Sequence, residues 1–185
     1  MPKSVTVTHA QRTNVLLILQ DAATGRVEKI VNAKNLVTND GAMYYAQKGA
    51  NQTPTYTFNL GKLALASSYL AAESAAATLG LLTFSTLSGI KTFDSGYPKT
   101  ADPDTDNTGS GVRVVTFRRT YTTAQANFTI KALAIVRSAY TLDTSNANSL
   151  ARKVLNYLTL SVAQQITKTS SQTLKAFVNH SFAGA

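Results

Sequence analysis

From Val112 to Ala185 the chain is dense in short segments in which apolar and polar residues alternate, a period that fits a pleated strand and no helix. VRVVTFRRTYTT, NFTIKALAIVR and SQTLKAFVNHSF are rich in Val, Ile, Thr, Phe and Tyr and are separated by polar turns. Such β-branched and aromatic side chains suit a half-buried sheet surface. In the last segment Leu174, Ala176, Val178, His180 and Phe182 fall on one face, and Thr173, Lys175, Phe177, Asn179 and Ser181 on the other.

Upstream, NVLLILQ and RVEKIVNAKN flank Asp21–Gly25, which predicts a β-hairpin with a loop longer than the tightest type. Asn35-Leu36-Val37-Thr38 then leads into one short helix, with Asn39 or Asp40 as its cap, Ala42–Lys48 as its body and Gly49 as its left-handed stop. Met43, Ala46 and Gln47 would share one side and Tyr44 and Lys48 the next, so the helix is expected to plug one edge of the core. GKLALA, at 61–66, predicts another strand. Tyr69–Leu82 is Ala-rich and open to a helix, and Thr83–Ile90 reads as extended. Lys91–Gly111 is a long loop containing Pro98 and Pro103, and loops of that length are usually functional or mobile. The expected fold is therefore mainly β, an antiparallel β-sandwich of jelly-roll type with one short helix after the first hairpin. Residues 1–13 would be an N-terminal arm and 14–185 a single sandwich domain that projects the 91–111 loop.

Charged residues make up only 15% of the chain, so Thr, Ser, Asn and Gln carry much of its polarity. Surfaces of that kind suit permanent contacts, because fewer charges must be desolvated when an interface closes. The net charge is nevertheless +9, and its basic residues are spread singly, the densest pairs being Arg118–Arg119 and Arg152–Lys153. That distribution points to an acidic protein partner rather than to nucleic acid or a membrane. The N-terminus alternates Val and Thr and does not read as a signal peptide, and Leu60–Leu82 is too interrupted to span a bilayer. Synthesis as a soluble intracellular protein is expected.

Reactive groups are few. There is no Cys, which excludes disulfides and thiolate-bound metals, and His9 and His180 are the only imidazoles. No Gly-x-Ser-x-Gly elbow occurs, and Glu28 and Glu73 are the only glutamates. The chain is therefore read as no enzyme, with no cofactor. Asp102, Asp104 and Asp106 open like a calcium loop and are the candidate metal ligands. Asn107 and Arg113 stand where such a loop needs Gly and a bidentate Glu, so Asx-turns account for the spacing better. His180 is expected to be a core or interface histidine. Tyr44, Tyr45, Tyr56 and Phe58 are read as core aromatics, with a sugar-binding cleft as the alternative. Arg118, Arg119 and Tyr121, on one strand, and Arg12, in the arm, are the candidate protein-interface residues, since Arg and Tyr supply large contact area. Solvated arginines guarding a sheet edge are the alternative.

The landmarks LLILQDAATGRVEKIV, KNLVTNDGAMYYAQKG, TFRRTYTTAQANFTIKALAIV and LARKVLNYLTLSVAQQITKTSSQTLKAFVNHSF together resemble a family of tailed-bacteriophage virion proteins. The best matches are the helix entry Asn35-Leu36-Val37-Thr38-Asn39-x-Gly41 and the stretch Ile166-Thr167-Lys168-Thr169-Ser170-x-x-Thr173-Leu174, read as a hairpin. Ala66-Ser67-Ser68 replaces the family's Gly-Thr-rich turn, and the Lys91–Gly111 loop has the look of an insertion. The resemblance implies a virion structural protein made in the host cytoplasm. A capsid decoration (cement) protein, forming a trimer or dimer on the major capsid protein, is the leading expectation. A tail, collar or baseplate component is the alternative within that class, and a carbohydrate-binding adhesion module, using Tyr69, Tyr97 or the long loop, the alternative outside it.

Overall fold

The computed structural model describes residues 11–68, 89–105, 114–138 and 154–182. Within them the chain is mainly β, and every strand pairing is antiparallel. β1 (Gln11–Asp21) and β2 (Val27–Lys34) form the expected hairpin. Its turn is held by the Asp21 carboxylate, which accepts from the Thr24 amide and hydroxyl at 2.8 and 2.7 Å, and Gly25 supplies the φ of +71°. β1 begins inside the stretch expected to be an arm, and residues 1–10 lie outside the described ones.

A four-stranded sheet has the order β2-β1-β11-β6, with β6 at Val114–Tyr121 and β11 at Gln172–Phe182. β11 therefore sits between the first strand and β6. A five-stranded sheet has the order β3-β9-β8-β4-β5. Its strands are β3 (Leu36–Val37), β4 (Lys62–Ala66), β5 (Ile90–Thr92), β8 (Ala132–Val136) and β9 (Val154–Thr159). β7 (Thr129–Ile130) and β10 (Ile166–Thr167) make a separate two-stranded piece.

One buried apolar cluster draws on both large sheets, including Val15, Leu17, Phe117, Tyr121, Leu174 and Val178 from one and Leu63, Leu65, Leu133, Ile135 and Leu155 from the other. Tyr44 of the helix and Phe58 complete it, their rings edge to face at 5.4 Å. These aromatics are core residues, which accounts for two of the four offered as a sugar cleft; Tyr45 and Tyr56 pack against the same cluster. Side chains on the other face of the five-stranded sheet are buried too: Ala64, Ala66, Ala132 and Ala134 with Ile90, Val136, Val154 and Tyr157. Leu174, Ala176 and Val178 share the core face of β11, as their spacing predicts.

The helix entry works differently from the sequence expectation. α1 spans Asn39–Gly49, and Thr38, not Asn39 or Asp40, is its cap: the Thr38 hydroxyl accepts from the Gly41 amide at 3.1 Å. The same hydroxyl donates to the Val154 carbonyl, and the Thr38 amide donates to Leu155 O at 3.2 Å. β3 and the helix start are thereby clamped onto β9. Gly41 is required there by space, since a Cβ would lie 2.0 Å from the Leu155 carbonyl oxygen. At the other end, the left-handed residue is Asn51 (φ 55°) and not Gly49. Gly49 faces open space.

Two further expectations change. NFTIKALAIVR is not one strand, because the chain turns at Lys131, whose amide donates to Ala66 O, and passes from β7 into β8 of another sheet. ITKTSSQTL is not a hairpin either: β10 pairs with β7 whereas β11 pairs with β1 and β6. It is a crossover, pinned by Lys168, whose ammonium donates to Asn127 Oδ1 at 2.7 Å and Thr169 O at 3.1 Å.

Replacing Gly41 by Ala is expected to cost about 2–3 kcal/mol, as over-packing against backbone does. Gly49→Ala should stay within about 0.5 kcal/mol. Urea unfolding of the two variants beside the parent measures both.

Candidate functional site

Four of the polar residues singled out in the sequence, Asp102, Asp104, Arg118 and Arg119, gather at the outer edge of β6. An unpaired edge strand is a template for other chains, and here the first part of the long loop covers it. The Asp94 amide donates to Arg118 O at 2.9 Å, and Lys99 and Thr116 exchange backbone bonds at 3.0 and 2.8 Å. The loop expected from Lys91 begins later, because Lys91 and Thr92 belong to β5; its described part, 93–105, is held to β6 through Asp94, Lys99 and Asp104, and residues 106–113 lie outside the described ones.

Asp94 is the centre of this arrangement. One carboxylate oxygen accepts from the Thr120 amide at 3.1 Å, and the other accepts from the Thr120 hydroxyl at 2.8 Å and from Arg118 Nε at 3.0 Å. Arg119 Nη1 stands 3.6 Å from the first oxygen. Two guanidinium groups that the strand alternation sends to opposite faces are held by one acid. Arg118 also reaches Asp104 at 3.3 Å, and its guanidinium lies 4.3 Å from the centre of the Tyr97 ring. Arg119 donates to Gln125 Oε1 at 3.1 Å.

Tyr97, followed by a cis bond to Pro98, is covered by Lys99 as well, at 4.7 Å, and its hydroxyl donates to Asp102 at 2.5 Å. Burial, reinforced by that hydrogen bond to a carboxylate, pushes the phenol well above its ordinary value. Asp102 is fully buried and accepts from the Asp104 amide at 3.0 Å, which is the Asx-turn expected. Asp102 is tied to Tyr97 and Asp104 to Arg118, and Asp106 lies outside the described residues. No three His, Cys, Asp or Glu side chains among the described residues converge as metal ligands do.

One member of the expected interface set, Tyr121, is corrected. Tyr121 is not on a surface: it is fully buried, and its hydroxyl donates to the carbonyls of Leu63 (2.9 Å) and Gly89 (3.2 Å), joining the two large sheets. Arg118 and Arg119 are engaged within the chain. Arg12 lies in β1 opposite Ser181. Asp94 was the residue missed, and Tyr97 had been considered only as a sugar-binding aromatic; the only sequence signal was an acid in a loop long enough to reach the Arg118–Arg119 strand.

His180 is another of the buried polar side chains. Its Nδ1 bonds the Tyr45 hydroxyl, its ring packs on Phe117 at 5.4 Å, and burial pushes its pKa down to about 3. It is a neutral core histidine, as its place on the apolar face implies. Its Nε2 is buried without a hydrogen-bond partner among the described residues.

Three of the chain's nine acids, Asp94, Asp102 and Asp104, are gathered in this one cluster with Arg118, Arg119 and Lys99. Exposed cations such as Arg26, Lys34 and Lys48 lie elsewhere and account for part of the positive surface. Chemically the cluster is a latch, since its carboxylates already accept from donors of the chain itself. Comparison with family models, curated proteins and solved structures finds no match to this chain.

Asp94→Asn should destabilise the fold by about 2 kcal/mol, because it takes the carboxylate from Arg119 and leaves Arg118 with Asp104 alone. The 91–105 segment should also become cleavable by a protease. Urea unfolding and limited proteolysis check the two effects. For His180 the sign follows from its depressed pKa. The unfolded chain takes up this proton near pH 6.5 and the folded one only near 3, so stability falls as the pH drops through that interval. From pH 7 to 5 the loss should be about 2 kcal/mol, and His180→Gln should flatten it when the melting temperature is followed against pH.

Proposed function

We propose that this chain is a structural protein of a tailed-bacteriophage virion: a capsid decoration (cement) protein built as an antiparallel β-sandwich of jelly-roll type. The observation that carries this function is where the polar chemistry goes. Asp94, Asp102, Asp104, Arg118, Arg119 and His180 are engaged in holding the scaffold together, while cations such as Arg26, Lys34 and Lys48 are exposed. A rigid scaffold with a net charge of +9 and few acids is suited to act by contact with an acidic surface. The phage assignment itself rests on the sequence resemblance, whose helix entry is the Thr38–Gly41 clamp on β9.

The mechanism is mass action. A protein that binds only the assembled shell of the major capsid protein stabilises that shell by an amount set by its concentration relative to its Kd. Neither a cofactor nor a catalytic step is part of this function. The same scaffold would serve a tail, collar or baseplate component. A sugar-binding role is less well supported, because the Tyr97 ring is covered by Arg118 and Lys99 instead of being offered as a platform. No helix among the described residues is long and apolar enough to cross a membrane.

The test is to mix labelled protein with undecorated heads and with isolated tails and to image both. Dense, regular labelling of heads, with a rise in the temperature at which they disrupt, is expected. Labelling confined to tails or to one vertex would transfer the chain to the tail or collar class, and glycan binding without either would make it an adhesion module.

A further inference from the structure

The outer face of the four-stranded sheet brings apolar and cationic side chains together. On β1 the core takes Val15, Leu17 and Leu19, so Leu16 and Ile18 face the other way, and on β11 Lys175 and Phe177 do so for the same reason. On β2 Val31 and Ala33 are in the core, which leaves Ile30, Asn32 and Lys34 outside. The pairing sets them in rows across the sheet: Ile30, Ile18, Lys175 and Thr120 in one, and Asn32, Leu16, Phe177 and Arg118 in the next. A third row holds Lys34, Asn14, Asn179 and Thr116.

The two halves of this face differ. Toward β6 it is closed: Phe177, Asn179 and Thr116 are buried, and Arg118 is held by Asp94 and laid against the Tyr97 ring. Toward β2 it is open: Ile30 is 60% exposed, Leu16 and Ile18 are partly exposed, and Asn32 and Lys34 are exposed. Single exposed aliphatic side chains are ordinary, but three adjoining ones rimmed by polar groups mark a contact surface. Lys34 and Lys175 stand at diagonal corners of this patch, their Cα atoms roughly 16 Å apart by the spacing of strands and residues. Neither takes part in the ion pairs among the described residues. The described acids lie off the open half. Asp94, Asp102 and Asp104 belong to the latch, Asp40 begins the helix and Asp21 holds the hairpin turn. Glu28 accepts from Gln172, which alternates with Leu174 on the core side of β11.

We propose that this open half is the docking surface for an acidic protein, one that presents apolar side chains between two carboxylates set to meet Lys34 and Lys175. Charge selects that occupant, because the face offers cations at its corners and no acid of its own. A second copy of the chain would bring the same lysines without a counter-charge, so like charges would meet across the two-fold axis. A bilayer calls for aromatic or long apolar side chains that reach past the headgroups, and the aromatic in these rows, Phe177, is buried. The inference rests on the reading of this chain as a protein that acts by contact with an acidic shell, and it assigns the face that makes the contact.

Titration of labelled full-length protein onto undecorated heads and onto isolated tails tests it, with the fold of each variant checked by circular dichroism. Lys34→Gln and Lys175→Gln should each weaken binding about fivefold, and Ile30→Asp about tenfold. Gln52→Glu, on an exposed turn after the helix, lowers the net charge by the same amount as either lysine change and should shift binding by less than about twofold. An equal loss in Gln52→Glu would make the effect one of net charge and sink the assignment of this face. A parent that binds, with its affinity kept when Lys34, Lys175 and Ile30 are replaced together, would overturn the face and leave the virion reading standing. A parent that binds neither heads nor tails would remove the virion reading and this partner with it. Uptake by vesicles of phosphatidylglycerol and phosphatidylcholine, abolished in the triple variant, would give the face to a membrane and likewise overturn the inference.

Discussion

The insertion of β11 between β1 and β6 is the constraint from which the rest of the structure follows. β11 pairs with β1 over eleven residue pairs and with β6 over eight, so it closes the four-stranded sheet from the far end of the chain. Leu174, Ala176 and Val178 contribute its core face, and Phe177 and Asn179 are buried on the other. A strand buried on both faces cannot slip by one residue without bringing Asn179 into the apolar cluster and taking Val178 out of it. The Asn179 side chain marks the register again by accepting from the Thr116 hydroxyl of β6 at 2.8 Å.

With that sheet in place, a few polar side chains attach the remaining pieces to it or to the second sheet. Tyr121 bonds the carbonyls of Leu63 and Gly89 from within the core, so the phenol links the two sheets by hydrogen bonds as well as by apolar contact. Thr38 ties the helix start to β9, and Asp94 ties the loop to β6. Each satisfies backbone or charged groups that would be expensive to bury unpaired. The same economy explains why the conspicuous Arg118–Arg119 pair is a latch: an acid lies within reach of both guanidiniums, and partly buried charges of opposite sign remain together.

Much of the local architecture was legible in the chain. The first hairpin, the one helix near residue 40, the strand at 61–66 and the face assignment of β11 all follow from periodicity and turn chemistry. The errors have a common cause. Thr38 displaced its two neighbours as cap because its hydroxyl could also donate to Val154, 116 residues away. Tyr121 alternates with Arg119 as any strand residue might, and only the position of the second sheet makes it internal. ITKTSSQTL has the composition of a hairpin, but its two arms find better partners in β7 and β1.

The chain by itself determined most of the stretches that are extended, the first hairpin turn and the apolar side of β11, because those properties reside in the φ/ψ preferences and spacing of adjacent residues. Only the tertiary structure decided which strands are neighbours, that the five-stranded sheet is buried on both faces, and that Asp94 answers Arg118 across 24 positions. Strand order and charge pairing are settled by competition among contacts distant in sequence. The winners depend on what the folded core brings within reach, and no local window contains that information.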